Sequence, residues 1–89
     1  MNISFIWGDP PKEGLSVIET NIRDEIEHFE GRFKDFPEEL IVRASMDRPQ
    51  LSIEGVATAA SGEAVVSISY SLLEPHRRHY QYVGKSPTI

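Results

Sequence analysis

The hydrophobic positions change period along this chain, and each change marks an element. Ile3, Phe5 and Trp7 alternate with Asn2 and Ser4, the period of a half-buried strand, and Ile6 is the one apolar residue out of phase. Gly8-Asp9-Pro10-Pro11 stops the strand, because two successive prolines fix the backbone and remove its donors. From Leu15 the spacing becomes three or four. Leu15, Ile18, Ile22, Ile26, Phe29, Phe33 and Phe36 share one face of an α-helix, which Pro37 ends at Phe36. Ser16 with Glu19 three residues on predicts a capping box at its start.

Period two then returns. Leu40, Val42, Ala44 and Met46 alternate with Arg43 and Ser45, giving a second strand that closes at the turn-like MDRPQ. Leu51 and Ile53 face inward and Ser52 and Glu54 outward in a third strand reaching Thr58, where Gly55 interrupts the alternation and predicts a bulge. Residues 60–63 (ASGE) form a hairpin turn with Gly62 free to take positive φ. Val66, Ile68, Tyr70 and Leu72 alternate with Ser67, Ser69 and Ser71 in a fourth strand that Pro75 ends. The predicted fold class is α+β, a two-layer β-α-β-β-β arrangement with one amphipathic helix on one face of a largely antiparallel four-stranded sheet. Trp7, Phe36 and Tyr70 read as core. The uncovered face carries Arg43, Ser45, Ser52, Glu54, Ser67, Ser69 and Ser71, which suit water or a partner.

Charge changes the picture more than composition does. At 89 residues the chain predicts one domain over 1–74 with a basic aromatic extension over 75–89. All fourteen acidic residues lie at or before Glu74, so residues 1–74 carry −8 and residues 75–89 carry +3 of the net −5. An acidic body repels nucleic-acid phosphate and favours basic protein surfaces. The absence of cysteine removes disulfides, thiolate metal sites and thiol nucleophiles together, and favours a cytoplasmic protein. The amino-terminal residues predict neither a signal peptide nor a membrane span.

Four groups of residues offer chemistry. His76 and His79 with Glu74 have the types and spacing of metal ligands, but Arg77 and Arg78 between them oppose a cation, and His28 is the only other imidazole. Arg77, Arg78, Tyr80 and Tyr82 have the charge and aromatic faces for phosphates and bases, against the acidic remainder. No nucleophile elbow, phosphate-cradling glycine loop or His-Glu-x-x-His motif is present, and Glu27 with Glu30 converges with nothing else, so the chain reads as a non-enzyme without cofactor or metal. The segment from Glu19 to Glu39 holds eight carboxylates and three basic residues. Four-residue pairs such as Glu19/Arg23, Arg23/Glu27 and Glu30/Lys34 neutralise part of that charge on a solvated face, and carboxylates on a helix can also imitate nucleic-acid phosphates for a basic partner.

Residues 36–55, FPEELIVRASMDRPQLSIEG, together with NISFIW and the helix, resemble the DNA-damage-inducible RecA-modulator (DinI) family. In that family a strand and an amphipathic helix lead through Phe-Pro into two strands, and the resemblance covers about the first 56 residues. It implies modulation of a recombinase. That family closes with an acidic helix, whereas this chain continues as EAVVSISYSLL and a basic tail, so no binding residue carries over from that helix. The β-α-β-β-β order is also shared with ribosome-hibernation factors, by topology alone.

The reading is therefore a small acidic protein that inhibits or modulates a basic nucleic-acid-handling protein, in the manner of a RecA-type modulator, a phage anti-defence protein or an immunity protein. Glu27, Glu30, Asp35, Glu38 and Glu39 supply its electrostatic side, and Arg77, Arg78, Tyr80 and Tyr82 a second surface. The alternative is direct binding of nucleic acid or the ribosome through the tail, where His79 to Val83 also fits a short edge strand with both tyrosines on one side. The uncovered sheet face and an edge strand offer a route to a homodimer.

Overall fold

In a computed structural model, residues 1–31, 36–48, 51–74 and 78–83 are described. They form β1 (Asn2–Trp7), α1 (Leu15–Glu30), β2 (Glu39–Arg48), β3 (Ser52–Ala59), β4 (Ala64–Ser71) and β5 (His79–Tyr82). The strands lie in chain order in one five-stranded sheet. β1 runs parallel to β2, with Asn2 beside Glu39 and Trp7 beside Ala44, because the intervening helix returns the chain to the same end of the sheet. The remaining neighbours are antiparallel.

The α+β class with one helix on a sheet holds, and the count of four strands is corrected to five, the fifth being the short edge strand that the alternation of His79 to Val83 allowed. β5 comes from the basic tail and pairs with β4 from Val66↔Tyr82 to Ser69↔His79, giving the β4 backbone a partner that it would otherwise lack. The helix is shorter than its apolar period suggested. It closes at Glu30 before Gly31, Phe33 lies outside the described residues, and Phe36 packs its ring on Tyr82 at 5.2 Å instead of continuing the helical stripe. Glycine is a weak helix former, and it ends the run before the aromatic spacing does.

The capping box does not form. Gly14 is the N-cap with φ 73°, and the first helical bond runs from the Ile18 amide to the Gly14 carbonyl at 2.9 Å. The Glu19 carboxylate instead accepts from Trp7 Nε1 at 2.7 Å. Leu15, expected on the inner face, is exposed at the helix start.

Ile18, Ile22 and Ile26 form the buried stripe and meet Leu40, Val42, Ala44, Ile53, Ala57, Val65, Val66, Ile68 and Tyr70. Each full-size aliphatic buried here contributes about 1.5–3 kcal/mol relative to exposure. Trp7 and Phe36 pack partly buried against this core, as their sequence reading proposed. Gly55 marks no bulge: it stays in register between Ala44 and Ile68. The register shifts lie elsewhere, between Met46 and Arg48 on β2 and where Ala57/Thr58 face Val66/Ala64. The second inserts Val65, so that Val65 and Val66 are both buried despite being adjacent in sequence. The 60–63 turn is as predicted, with Gly62 at φ 89° and its amide on the Ala59 carbonyl at 2.8 Å.

Candidate functional site: an acidic helix layer and an engaged tail

The helix lies on the sheet with its two flanks turned to different strands. On the β1 side, Arg23 folds over the Phe5 ring at 5.3 Å and donates to the Ile3 carbonyl at 3.5 Å. Thus Arg23 leans onto the sheet edge and Glu19 onto Trp7, in place of the four-residue neutralisation their spacing suggested. On the other flank, Asn21 Nδ2 donates to the Tyr70 hydroxyl at 3.1 Å, and Glu25 faces Arg78 at 3.8 Å.

These inward contacts leave an acidic outer side. The helix contains Glu19, Asp24, Glu25, Glu27 and Glu30 against the single arginine Arg23. Asp24, Glu27 and Glu30 recur at three-residue spacing and are exposed. Glu38 and Glu39 are exposed where the chain enters β2. Glu30 and Glu38 come together with Met1 and Asn2 around a shallow cleft of about 250 Å³, and the Asn2 amide donates to the Glu38 carbonyl at 2.9 Å. Of the acidic residues proposed from sequence, Glu27, Glu30, Glu38 and Glu39 are thus exposed in the structure, while Asp35 lies outside the described residues. Asp24 was missed, although its spacing from Glu27 was legible.

The second surface is less open than its composition suggested. Arg78 stacks over the Tyr70 ring at 5.5 Å while facing Glu25. Tyr80 and Tyr82 lie on the helix side of β5, half-buried, with Tyr80 6.1 Å from the Phe29 ring. His79 and Gln81 point to the opposite face. Arg77 and His76 lie outside the described residues. Among the described residues no three metal-binding side chains gather, and no helix is long and apolar enough to cross a membrane. A cleft of about 490 Å³ lies between the Asp9–Glu13 turn and the side chains of Met46 and Leu72, with Pro10 and Pro11 in its wall.

Tyr80 carries a measurable signature. Its hydroxyl is buried without a hydrogen-bond partner among the described residues, and burial, reinforced by the Glu25 carboxylate, raises its pKa well above the ordinary tyrosine value of 10.0. The unfolded chain therefore ionises this phenol first, so the Tyr80 contribution to stability is complete below pH 10 and declines as pH rises beyond it. Tyr80→Phe removes an unsatisfied buried oxygen and is expected to stabilise the fold by about 1 kcal/mol at neutral pH. In urea melts across the alkaline range the variant also loses the Tyr80 part of the decline. A Tyr80→Phe protein less stable than the parent would show that the hydroxyl has a stabilising partner.

No family model, curated protein or solved structure matches this chain.

Proposed function

We propose that this chain is a non-enzymatic binding protein whose acidic helix layer docks on a basic, nucleic-acid-handling protein in the cytoplasm and inhibits or modulates it. The observation supporting this reading is the inward turn of the two neighbouring arginines. Arg23 lies on Phe5 and Arg78 on Tyr70, so among the described residues neither arginine offsets the exposed carboxylates of Asp24, Glu27 and Glu30. Such a field accelerates encounter with a cationic surface and excludes acidic ones, while nearby short-range contacts supply specificity. RecA-type modulators, phage anti-defence proteins and immunity-type inhibitors all belong to this class of action.

The test is affinity capture from the native host with mass spectrometry, using the parent chain and a Glu27→Lys/Glu30→Lys variant in parallel. A basic nucleic-acid-binding protein is expected with the parent. Its affinity should fall at least about tenfold in the variant and weaken with added salt. Single-stranded DNA or RNA binding that is steep in salt and abolished by Arg77→Ala/Arg78→Ala would replace this reading with direct nucleic-acid binding by the tail.

A further inference from the structure

Among the described residues no element covers the sheet face away from the helix, and this face is more apolar than its serines suggested. The strand register aligns Ile6, Arg43, Val56, Ser67 and Gln81 in one row across β1 to β5. Ile6 is 47% exposed and Val56 40%, values far above those of any core aliphatic. Ile41 lies one row away, paired with Ser4 and Thr58. The next row in the other direction holds Ser45, Glu54, Ser69 and His79.

Arg43 stands exposed between Ile6 and Val56 and makes no ion pair with a described residue. Glu54, its diagonal neighbour, accepts a hydrogen bond from Ser69 Oγ at 3.4 Å instead. One unpaired cation and one carboxylate thus sit a row apart in an apolar patch, with small serines around them. This pattern is self-complementary: a two-fold axis in the plane of the face, between β2 and β3, sets each Arg43 over Val56 of the other copy, with that copy's Glu54 about 7 Å further along the strand and the sheets about 10 Å apart. The arginine and glutamate side chains reach toward each other across that gap. Ile6, Ile41 and Val56 of both copies would close around the two pairs, and the serines permit sheets to approach at about 10 Å.

We infer that this face is the interface of a symmetric homodimer, in which two sheets pack against each other and the two acidic helices face outward on opposite sides. Five strands at about 4.8 Å spacing and six residues at about 3.3 Å rise make a footprint about 20 Å on a side. Covering it on both copies removes on the order of 1,000 Å², at the lower bound for specific association. An interface of that size suits a weak, concentration-dependent dimer. It rests on the sheet face alone, and the acidic surface of either copy stays available to a partner.

Sedimentation equilibrium from micromolar to millimolar protein tests it. The parent is expected to move from monomer to dimer across this range. Val56→Glu places a carboxylate in the apolar row and Arg43→Glu turns the cross-pair into a repulsion, and each should weaken dimerisation at least about tenfold. Both positions are exposed, so circular dichroism and melting midpoints close to the parent separate this effect from unfolding. Arg43→Glu/Glu54→Arg re-creates opposite charges across the axis and should restore association. A monomer at every concentration overturns the inference, as does a dimer indifferent to Val56→Glu and Arg43→Glu, which would use another surface. Failure of the double exchange to restore association overturns the Arg43–Glu54 pairing on which the geometry stands.

Discussion

Ile22→Ala is expected to lower the unfolding free energy by about 3–4 kcal/mol. Ile22 has no exposed surface and sits at the middle of the only helical stripe that touches the sheet, between Ile18 and Ile26. The loss combines the transfer energy of three carbons with the cavity they leave, which a rigid sheet beneath and a short helix above refill poorly. A domain of this size has only about 5–13 kcal/mol of stability in total, and each kcal/mol corresponds to about 4–8 °C in midpoint. The variant should therefore melt about 15 °C or more below the parent. Val17→Ala, at a position 63% exposed on the same helix, should change stability by less than about 0.5 kcal/mol. Urea and thermal melts of the two variants check this, and equal losses would contradict the assigned helix face.

Gly55→Val should cost about 2 kcal/mol, although valine is the better strand former. Gly55 pairs with Ala44 in the middle of the β2–β3 ladder, on the helix side of the sheet. A Cβ there would lie 3.0 Å from the Ala44 Cβ and 3.1 Å from the Arg43 carbonyl oxygen. Cross-strand Cβ atoms ordinarily sit about 4.5–5.5 Å apart, so the strands are pinched at this pair. The neighbours are backbone atoms and a methyl with no rotamer to change, and relief requires β2 and β3 to separate. A valine also adds γ-carbons to a core that already places Ala44 beneath the helix. Urea midpoints of Gly55→Val and Gly55→Ala decide it: the alanine should be milder, and a stabilised valine variant would show that the strands yield freely.

The helix face was legible because Ile18, Ile22, Ile26 and Phe29 mix four-residue and three-residue steps, and a three-residue step puts two residues on opposite faces of a strand. The strands were legible by alternation, and the 60–63 hairpin by a glycine placed where positive φ is needed. The misreadings have specific causes. Ser16 and Glu19 have capping-box spacing, but a tertiary partner, the Trp7 indole, takes the carboxylate. Phe33 and Phe36 continue the apolar period beyond Gly31, yet aromatic side chains fit a helix stripe and a packed loop equally well, and Phe36 goes to Tyr82. Gly55 interrupts a pattern in the same way whether it marks a bulge or a close approach, and only the distance to Ala44 separates the two.

The candidate site divides similarly. Sequence located the carboxylates, since charge is a property of composition and spacing, and exposure of Glu27, Glu30, Glu38 and Glu39 followed from the helix face and the strand start. It could not show that Arg23 and Arg78 turn onto aromatic rings, because a cation four residues from a carboxylate has the same sequence whether it pairs with it or stacks elsewhere. Ile6 was visible as a residue out of phase, but its significance lay in the row it forms with Arg43 and Val56 from two other strands.

What the sequence determined by itself, then, is local and periodic: one amphipathic helix, alternating strands, an acidic body and a basic aromatic tail. Only the tertiary structure decided that the tail's candidate edge strand pairs with β4, that its tyrosines turn toward the helix, and that Arg23 and Arg78 lie over aromatic rings. The physical reason is that period and propensity act within a few residues, whereas strand pairing, ring stacking and ion pairing bring together partners well separated in the chain, as Arg78 meets Glu25 and Tyr80 meets Phe29, and are chosen by geometry.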